Sequence, residues 1–270
     1  MLTASLVLYH NSPQEVDKLL ESVLKSCIDK LYIVDNSRND LFRILESRSN
    51  KISYIHSENI GYGRAHNIAI RKAIASGAKY HVVVNPDIYF NDGTIEALVE
   101  YMEHNEEVGW VMPKIIYPNG KLQYLCKPLP TPADLILRRF LPKGWFKKRK
   151  SNFELQQFGY NQELNVPFLS GCFMFLRVSA LQEIGLFDDR FFMYGEDIDL
   201  SRRMHSKYKT IFFPKVTVVH AHKAESYKNY KMLFIHIKNI VKYFNKWGWL
   251  FDQERKMVNQ KLRNELSKQY

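Results

Sequence analysis

Short apolar runs alternate with amphipathic stretches through the first ninety or so residues of the chain. Ser5-Leu6-Val7-Leu8-Tyr9 predicts a buried strand, and His10-Asn11-Ser12-Pro13 ends it. Val16, Leu19, Leu20, Val23 and Leu24 recur at helical spacing. Leu31-Tyr32-Ile33-Val34 is the next run, stopped by Asp35-Asn36-Ser37. A second helix is expected before the strand Ile52-Ser53-Tyr54-Ile55. Asn59-Ile60-Gly61-Tyr62-Gly63 opens a helix reaching about residue 75, and Tyr80-His81-Val82-Val83-Val84 runs into Asn85-Pro86-Asp87. Strand alternating with helix predicts an α/β fold with a mostly parallel sheet flanked by helices. Such sheets bind ligands beyond the carboxyl ends of their strands. Here those ends carry residues 9–11, 35–37, 59–61 and 85–87. Each alone is an ordinary turn; the four together point to one polar crevice.

The alternation continues with a strand inside residues 108–116 and the hairpin signal Tyr117-Pro118-Asn119-Gly120-Lys121. It lapses over residues 127–165, which hold Pro128, Pro130, Pro132 and Pro142 and a basic run over residues 138–150. We expect an insertion or mobile lobe there. Its cations, interleaved with Trp145 and Phe146, suit either a solvated loop or an anionic lipid surface. Phe173-Met174-Phe175-Leu176 resumes as a strand; Thr210-Ile211-Phe212-Phe213 and Val216-Thr217-Val218-Val219 read as two more, the latter ending at His220-Ala221-His222. From Tyr227 the chain reads as a basic helical tail to residue 270, broken near Trp247-Gly248-Trp249.

The most concentrated chemistry lies at Phe191-Phe192-Met193-Tyr194-Gly195-Glu196-Asp197-Ile198-Asp199-Leu200-Ser201-Arg202-Arg203. Gly195 permits a sharp turn. A helix from there would turn Ile198, Leu200 and Met204 to a core and leave Arg202, Arg203 and Lys207 wet. Three acids in a first helical turn can serve the helix dipole alone. An apolar aromatic wall before them would instead raise a carboxylate's pKa, as a proton-transfer site requires.

Composition is that of an ordinary globular chain: 270 residues, 46% hydrophobic and 25% charged. A net charge of +11 favours anionic partners such as nucleotides, nucleic acid or an acidic membrane surface. Cys27, Cys126 and Cys172 have neither metal-site spacing nor a disulfide framework, which suggests a reducing cytoplasm. No signal-peptide pattern and no membrane-spanning run is seen.

Ser170-Gly171-Cys172-Phe173-Met174, Gly185-Leu186-Phe187-Asp188, the acidic stretch with Arg203, Asn59-Ile60-Gly61-Tyr62 with Asn67, and His220 together resemble the family-2 glycosyltransferases. The resemblance covers residues 1 to about 230 and is nearest to a bacterial rhamnosyltransferase-like branch. It implies the glycosyltransferase A-type fold over residues 1–226, with residues 227–270 as the tail. It implies an inverting transfer of a sugar, L-rhamnose from dTDP-rhamnose first, to a saccharide acceptor, lipid-linked, in surface polysaccharide synthesis. In the implied site Asp197 is the catalytic base. Tyr9, Asn11, Asp35, Asn59, Gly61, Asn67, Asn85, Gly171, Glu196 and Arg203 bind the nucleotide sugar, Arg203 being otherwise a plain surface residue. Asp87 and His220 hold a divalent cation, Mg²⁺ or Mn²⁺, with His222 competing for the histidine role. The family's metal motif starts with Asp where this chain has Asn85, so one strong anionic ligand remains.

Two other functional classes compete with this reading. A nucleotidyltransferase would carry an early Gly-rich phosphate loop followed by Arg or Lys, which is missing. A non-enzymatic nucleic-acid binder fits the charge, yet no DNA- or RNA-binding motif is visible, so nucleic acid is not an expected partner. Cytoplasmic placement, peripheral on the inner face of the membrane, follows from the family setting; self-association stays open.

Overall fold

The computed structural model describes residues 1–137, 147–221 and 230–268. Its centre is a mixed nine-stranded sheet. The first half matches the alternation read from the sequence: β1 (Leu2–Leu8), β2 (Lys30–Asp35), β3 (Ile52–His56) and β4 (Tyr80–Val84) pair in parallel in the order β3-β2-β1-β4. Period-two patterning decides which helix covers which face. Leu31 and Ile33 join the core that contains Val16, Leu19 and Leu20 of α1 (Pro13–Lys25). Tyr32 and Val34 turn the other way, onto Ala65 and Ala69 of α2 (Tyr62–Ala75). The segment after β2 forms a 3₁₀ helix, Leu41–Arg48. α1 starts with Pro13 at its first position, where a missing N–H costs nothing.

Beyond β4 come β5 (Ile88–Phe90), α3 (Thr94–His104) and β6 (Val108–Ile116). The next central strand, β10 (Phe173–Arg177), runs antiparallel to both β4 and β6, so parallel pairing is interrupted there. The two predicted strands near residues 210 and 218 are one strand, β11 (Lys209–His220), parallel to β6 with a register shift between Phe213 and Thr217. Pro214 lies in that shift; proline cannot donate to a ladder and settles at such irregularities. β11 also pairs β5 and the short β8 (Leu164–Asn165). Outside the main sheet, β7 (Cys126–Lys127) pairs β9 (Phe168–Leu169) antiparallel. The turn at residues 117–121 closes as expected, with Tyr117 N–H donating to the Lys121 carbonyl.

Five further α-helices stand among the described residues: α4 (Lys147–Phe153), α5 (Val178–Ile184), α6 (Glu196–His205) and the tail pair α7 (Tyr230–Trp247) and α8 (Gln253–Ser267). Of the basic run, residues 138–146 lie outside the described residues, as do His222 and residues 227–229. Ile240, Tyr243 and Phe244 of α7 form a second apolar cluster with Phe168, Phe191 and Ile198. Fully burying such a side chain stabilises by about 1.5–3 kcal/mol, so α7 is bound to the acidic stretch by substantial packing.

Arg202 departs from the sequence reading. It is 2% exposed, not wet, and its guanidinium makes paired bonds of 2.7 Å to both carboxylate oxygens of Asp252 and one of 2.6 Å to Glu254. The partners stand fifty residues downstream, at the start of α8, and helical periodicity carries no information about them.

Candidate active site

A crevice of about 600 Å³ opens beyond the carboxyl ends of β1 and β4. One wall holds Tyr9, Asn11, Asn59, Asn85 and Asp87; the other holds Gly171, Glu196 and Asp197, with His220 also lining it. Backbone bonds join the parts: Asn85 N–H donates to the Cys172 carbonyl (3.0 Å) and Ala221 N–H to that of Asp87 (2.9 Å). Tyr62 crosses between the walls, its hydroxyl 3.0 Å from both Asn85 Oδ1 and the Gly171 carbonyl.

The acidic turn is built by backbone that doubles back. Tyr194 (φ +69°) and Gly195 (φ +97°) both lie in the left-handed region, and α6 begins at Glu196. Glu196 is 5% exposed, and its Oε2 has no hydrogen-bond partner among the described residues. Burial, and next the neighbouring Asp197 charge, push Glu196 up to about 8. Burial raises Asp197 too, but Lys127 and the N–H groups of Gly171 (3.2 Å) and Ile198 (2.9 Å) pull it back. Two adjacent buried carboxyls share their protons as a pair. Burial thus favours a protonated Glu196 near neutral pH, and it raises Asp197 against the pull of those neighbours. Gly171 makes this approach possible: a Cβ there would stand 3.0 Å from the Asp197 Cβ.

Asp87 and His220 meet across the strand ends, with His220 Nε2 3.3 Å from Asp87 Oδ1 and Nδ1 2.9 Å from Gln123 Oε1. Burial acts to lower this imidazole, and Cys172 and Asp87 override it, pushing it up to about 10. Among the described residues no group of three His, Cys, Asp or Glu side chains is gathered for a metal ion. With Nδ1 held by Gln123, the His220 Nε2 could join Asp87 on a cation only after the imidazolium gives up a proton, the other ligands coming from water and phosphate oxygens.

Four expected site residues stand elsewhere. Asp35 is fully buried; it accepts from Tyr54 OH (2.8 Å) and Ser37 N–H (2.9 Å), and the neighbouring Asn36 lines the crevice instead. Gly61 is a close-approach glycine (φ +93°) beneath the Phe192 carbonyl. Asn67 is a clamp whose amide bonds both the N–H and the carbonyl of Phe187. Arg203 stands furthest from its expected place: its guanidinium donates to Asp199 and to the carbonyls of Ile184, Gly185 and Leu186 at 2.7–2.8 Å, and it does not line the crevice. Helix geometry puts residue 203 a turn beyond residue 199, so it pairs with that carboxylate. Sequence reasoning passed over His10, Tyr62, Ser170, Cys172 and Tyr194 as lining residues. Tyr62 was within reach, since it directly follows the third predicted turn, residues 59–61.

Residues 6–185 match the family described as Glycosyl transferase family 2. The chain belongs to that family. It is similar to the N-acetylglucosaminyl-diphospho-decaprenol L-rhamnosyltransferase of Mycobacterium tuberculosis, 30% identical over 177 residues, which are 62% of this chain and 57% of that protein. The chain thus matches little more than half the length of that relative. Rhamnosyltransferase WbbL of Escherichia coli is 24% identical over 74% of this chain and 75% of its own. In three dimensions the chain resembles GalNAc-T7 solved with UDP, GalNAc and Mn²⁺ (TM-score 0.69, 15% identity, 91% of this chain and 48% of that one). It also resembles the mannosyltransferase PcManGT of Pyrobaculum calidifontis in complex with GDP-Man and Mn²⁺ (TM-score 0.58, 16% identity, 91% and 63%). These likenesses identify the glycosyltransferase A-type fold of this family-2 chain.

Proposed function

We propose that this family-2 chain transfers a sugar from a nucleotide sugar to a saccharide acceptor with inversion at the anomeric carbon. The observation that carries the reading is the crevice itself. A buried acid pair, Glu196 and Asp197, lines the same 600 Å³ space as Asp87 and His220. In the reaction the acceptor oxygen bonds to the anomeric carbon, the bond from that carbon to the diphosphate oxygen breaks, and the hydroxyl proton passes to Asp197. The nucleoside diphosphate leaves with the electron pair. Glu196, protonated beside it, is a neutral hydrogen-bond donor toward substrate. Asn11, Asn59 and Asn85 supply uncharged donors and acceptors to the nucleotide sugar, and Tyr9, half exposed at the mouth, supplies a ring face. Asp87 and His220 would hold a divalent cation, whose chemistry when bound would be to offset the negative charge of the departing diphosphate.

The named relatives favour a rhamnosyl donor, dTDP-rhamnose first, and a lipid-linked saccharide as acceptor, within polysaccharide synthesis. No described helix is long and apolar enough to cross a membrane, so contact with such an acceptor would be peripheral. Leu250 and Phe251, 78% and 95% exposed between α7 and α8, offer apolar side chains for it. We place the chemistry within residues 1–226 on the inner face of the membrane, with residues 227–270 supporting it.

A thermal-shift screen of nucleotide sugars with Mg²⁺ or Mn²⁺ tests the reading, because a ligand that binds the native state raises apparent stability. dTDP-rhamnose with cation should give the largest shift, and Asp87→Ala should weaken nucleoside diphosphate binding in the presence of Mn²⁺ by about tenfold or more. No shift with any nucleotide sugar would overturn it. Co-sedimentation with anionic vesicles tests the membrane contact: binding should fall with salt and with Phe251→Ser.

A further inference from the structure

We propose that Tyr62 is a positioning residue that turns the Asn85 side-chain amide so that its oxygen faces the crevice and accepts from a hydroxyl of the nucleotide sugar, a role that rests on the reaction proposed above. Tyr62 opens α2 and is fixed at both its backbone and its ring. Its N–H donates to the Phe192 carbonyl (2.9 Å). Its ring meets the His66 ring edge-on at 4.4 Å and the Phe187 ring at 6.3 Å. The hydroxyl at the far end stands 3.0 Å from the Asn85 side-chain amide and 3.0 Å from the Gly171 carbonyl oxygen. Asn85 is fixed by its own backbone, whose N–H donates to the Cys172 carbonyl (3.0 Å).

Counting protons decides which end of the amide meets Tyr62. A phenol has one proton to donate, and a carbonyl oxygen has none. Burial holds the ionisation of the Tyr62 hydroxyl well above its ordinary range, so that proton is present at neutral pH. Were the Asn85 oxygen turned to Tyr62, one proton would face two acceptors at equal distance, and one contact would be left oxygen against oxygen. With the amide nitrogen there instead, Asn85 Nδ2 donates to the phenol oxygen and the phenol donates to Gly171. The two ends of a carboxamide match in shape, so the bonds around them tell which is which. That order leaves the Asn85 oxygen pointing into the crevice that the residue lines. The crevice thus gains a fixed neutral acceptor two residues before Asp87. Gly171 also donates its N–H to Asp197 Oδ2 (3.2 Å), so one hydroxyl ties the nucleotide wall to the acid pair.

Tyr62→Phe keeps the ring on His66 and Phe187 and removes the hydroxyl. The first readout is the NMR signal of the Asn85 side-chain amide, in the intact chain with isotope-labelled asparagine, assigned by its loss in Asn85→Asp. In the wild type one of the two amide protons should exchange with water about tenfold more slowly than the other, and in Tyr62→Phe the two should exchange alike. Two protons that exchange alike in the wild type would overturn the assignment, and that spectrum decides it even where Tyr62→Phe folds poorly. The second readout is kinetic: in Tyr62→Phe the donor KM should rise about fivefold, the scale of one hydrogen bond, with kcat within about twofold. Calorimetry with dTDP and with dTDP-rhamnose then locates the hydroxyl. A loss confined to dTDP-rhamnose assigns it to the transferred sugar, and an equal loss assigns it to the nucleotide. Unchanged affinity for both would overturn the role. A wild-type protein that binds neither would overturn the proposed reaction instead, while the exchange spectrum still decides how Tyr62 sets the amide.

Discussion

The two walls of the crevice are made by opposite means. Tyr9, Asn11, Asn85 and Asp87 each stand within three residues of a strand end and are placed by the turn they belong to. Asn11 Oδ1, for instance, accepts from the Tyr9 N–H two residues back (2.9 Å). Glu196 and Asp197 are placed by chain far away. One turn further along α6, Asp199 is fully buried and receives Arg203 (2.8 Å), Lys246 (2.6 Å) and the Trp247 indole N–H (2.8 Å), while Arg202 reaches Asp252 and Glu254. Asn239 donates to the Met193 carbonyl (2.7 Å) just before the acidic turn. One face of a ten-residue helix thus meets the crevice and the other meets the tail. The first wall is local chemistry; the second is tertiary, and the tail is part of it.

The largest effect should come from the second wall. Asp197→Asn should lower kcat by about a hundredfold or more while nucleotide affinity stays near wild type, since an amide keeps the shape and loses the base. Turnover at the wild-type rate would move the base to Glu196. Next is Arg202→Met, which leaves Asp252, 3% exposed, without its bidentate partner. Breaking a buried pair from one side costs about 3–5 kcal/mol, read as a lower urea midpoint at unchanged slope. A midpoint within experimental error of wild type would mean that the tail does not brace α6.

That contrast also explains what could be read in advance. The parallel half of the sheet, the crevice at its strand ends and the sharp turn at Gly195 were legible because period-two runs and turn residues are local signals. The antiparallel insertion of β10 was not, because the chain reaches it through residues 127–165, where periodicity lapses. Asp35, Asn67 and Arg203 carry family motifs yet serve as internal clamps. A motif preserves residue type and spacing, and both a ligand contact and a backbone clamp are consistent with that.

The first wall makes its own prediction through the histidines beneath it. His81 is buried between Thr3 (2.7 Å) and Ser5 (2.9 Å), and His66 bonds Ser5 (2.7 Å). Burial depresses both, His81 to about 3 from the ordinary 6.5. A neutral histidine of this kind stabilises fully above about pH 6.5, and that contribution drains away as pH falls toward its folded value. His220 has the opposite sign, being raised to about 10, so its contribution is full below 6.5 and fades as pH rises. Between pH 7.5 and 5 the urea midpoint of His81→Gln should therefore change less steeply in the acid direction than that of the wild type. Equal slopes would mean that His81 is charged in the fold.

The smallest effect tests the reassignment of Arg203. A diphosphate clamp on the crevice would use the guanidinium fork on anionic oxygens, and replacing it by lysine would weaken nucleotide binding. Here the fork is already filled by three carbonyls of the α5–α6 connection and by Asp199. Lysine keeps the charge beside Asp199 and gives up carbonyl bonds, each worth about 1 kcal/mol net. Arg203→Lys should lower the urea midpoint modestly and leave nucleoside diphosphate affinity within about twofold, a difference of less than about 0.5 kcal/mol. A tenfold loss of affinity with stability intact would return Arg203 to the crevice and would mean that the loop after α5 opens when the nucleotide binds. The expected split, stability down and affinity held, would mark the rear face of α6 as scaffold and leave Glu196 and Asp197 as the part of that helix that meets substrate.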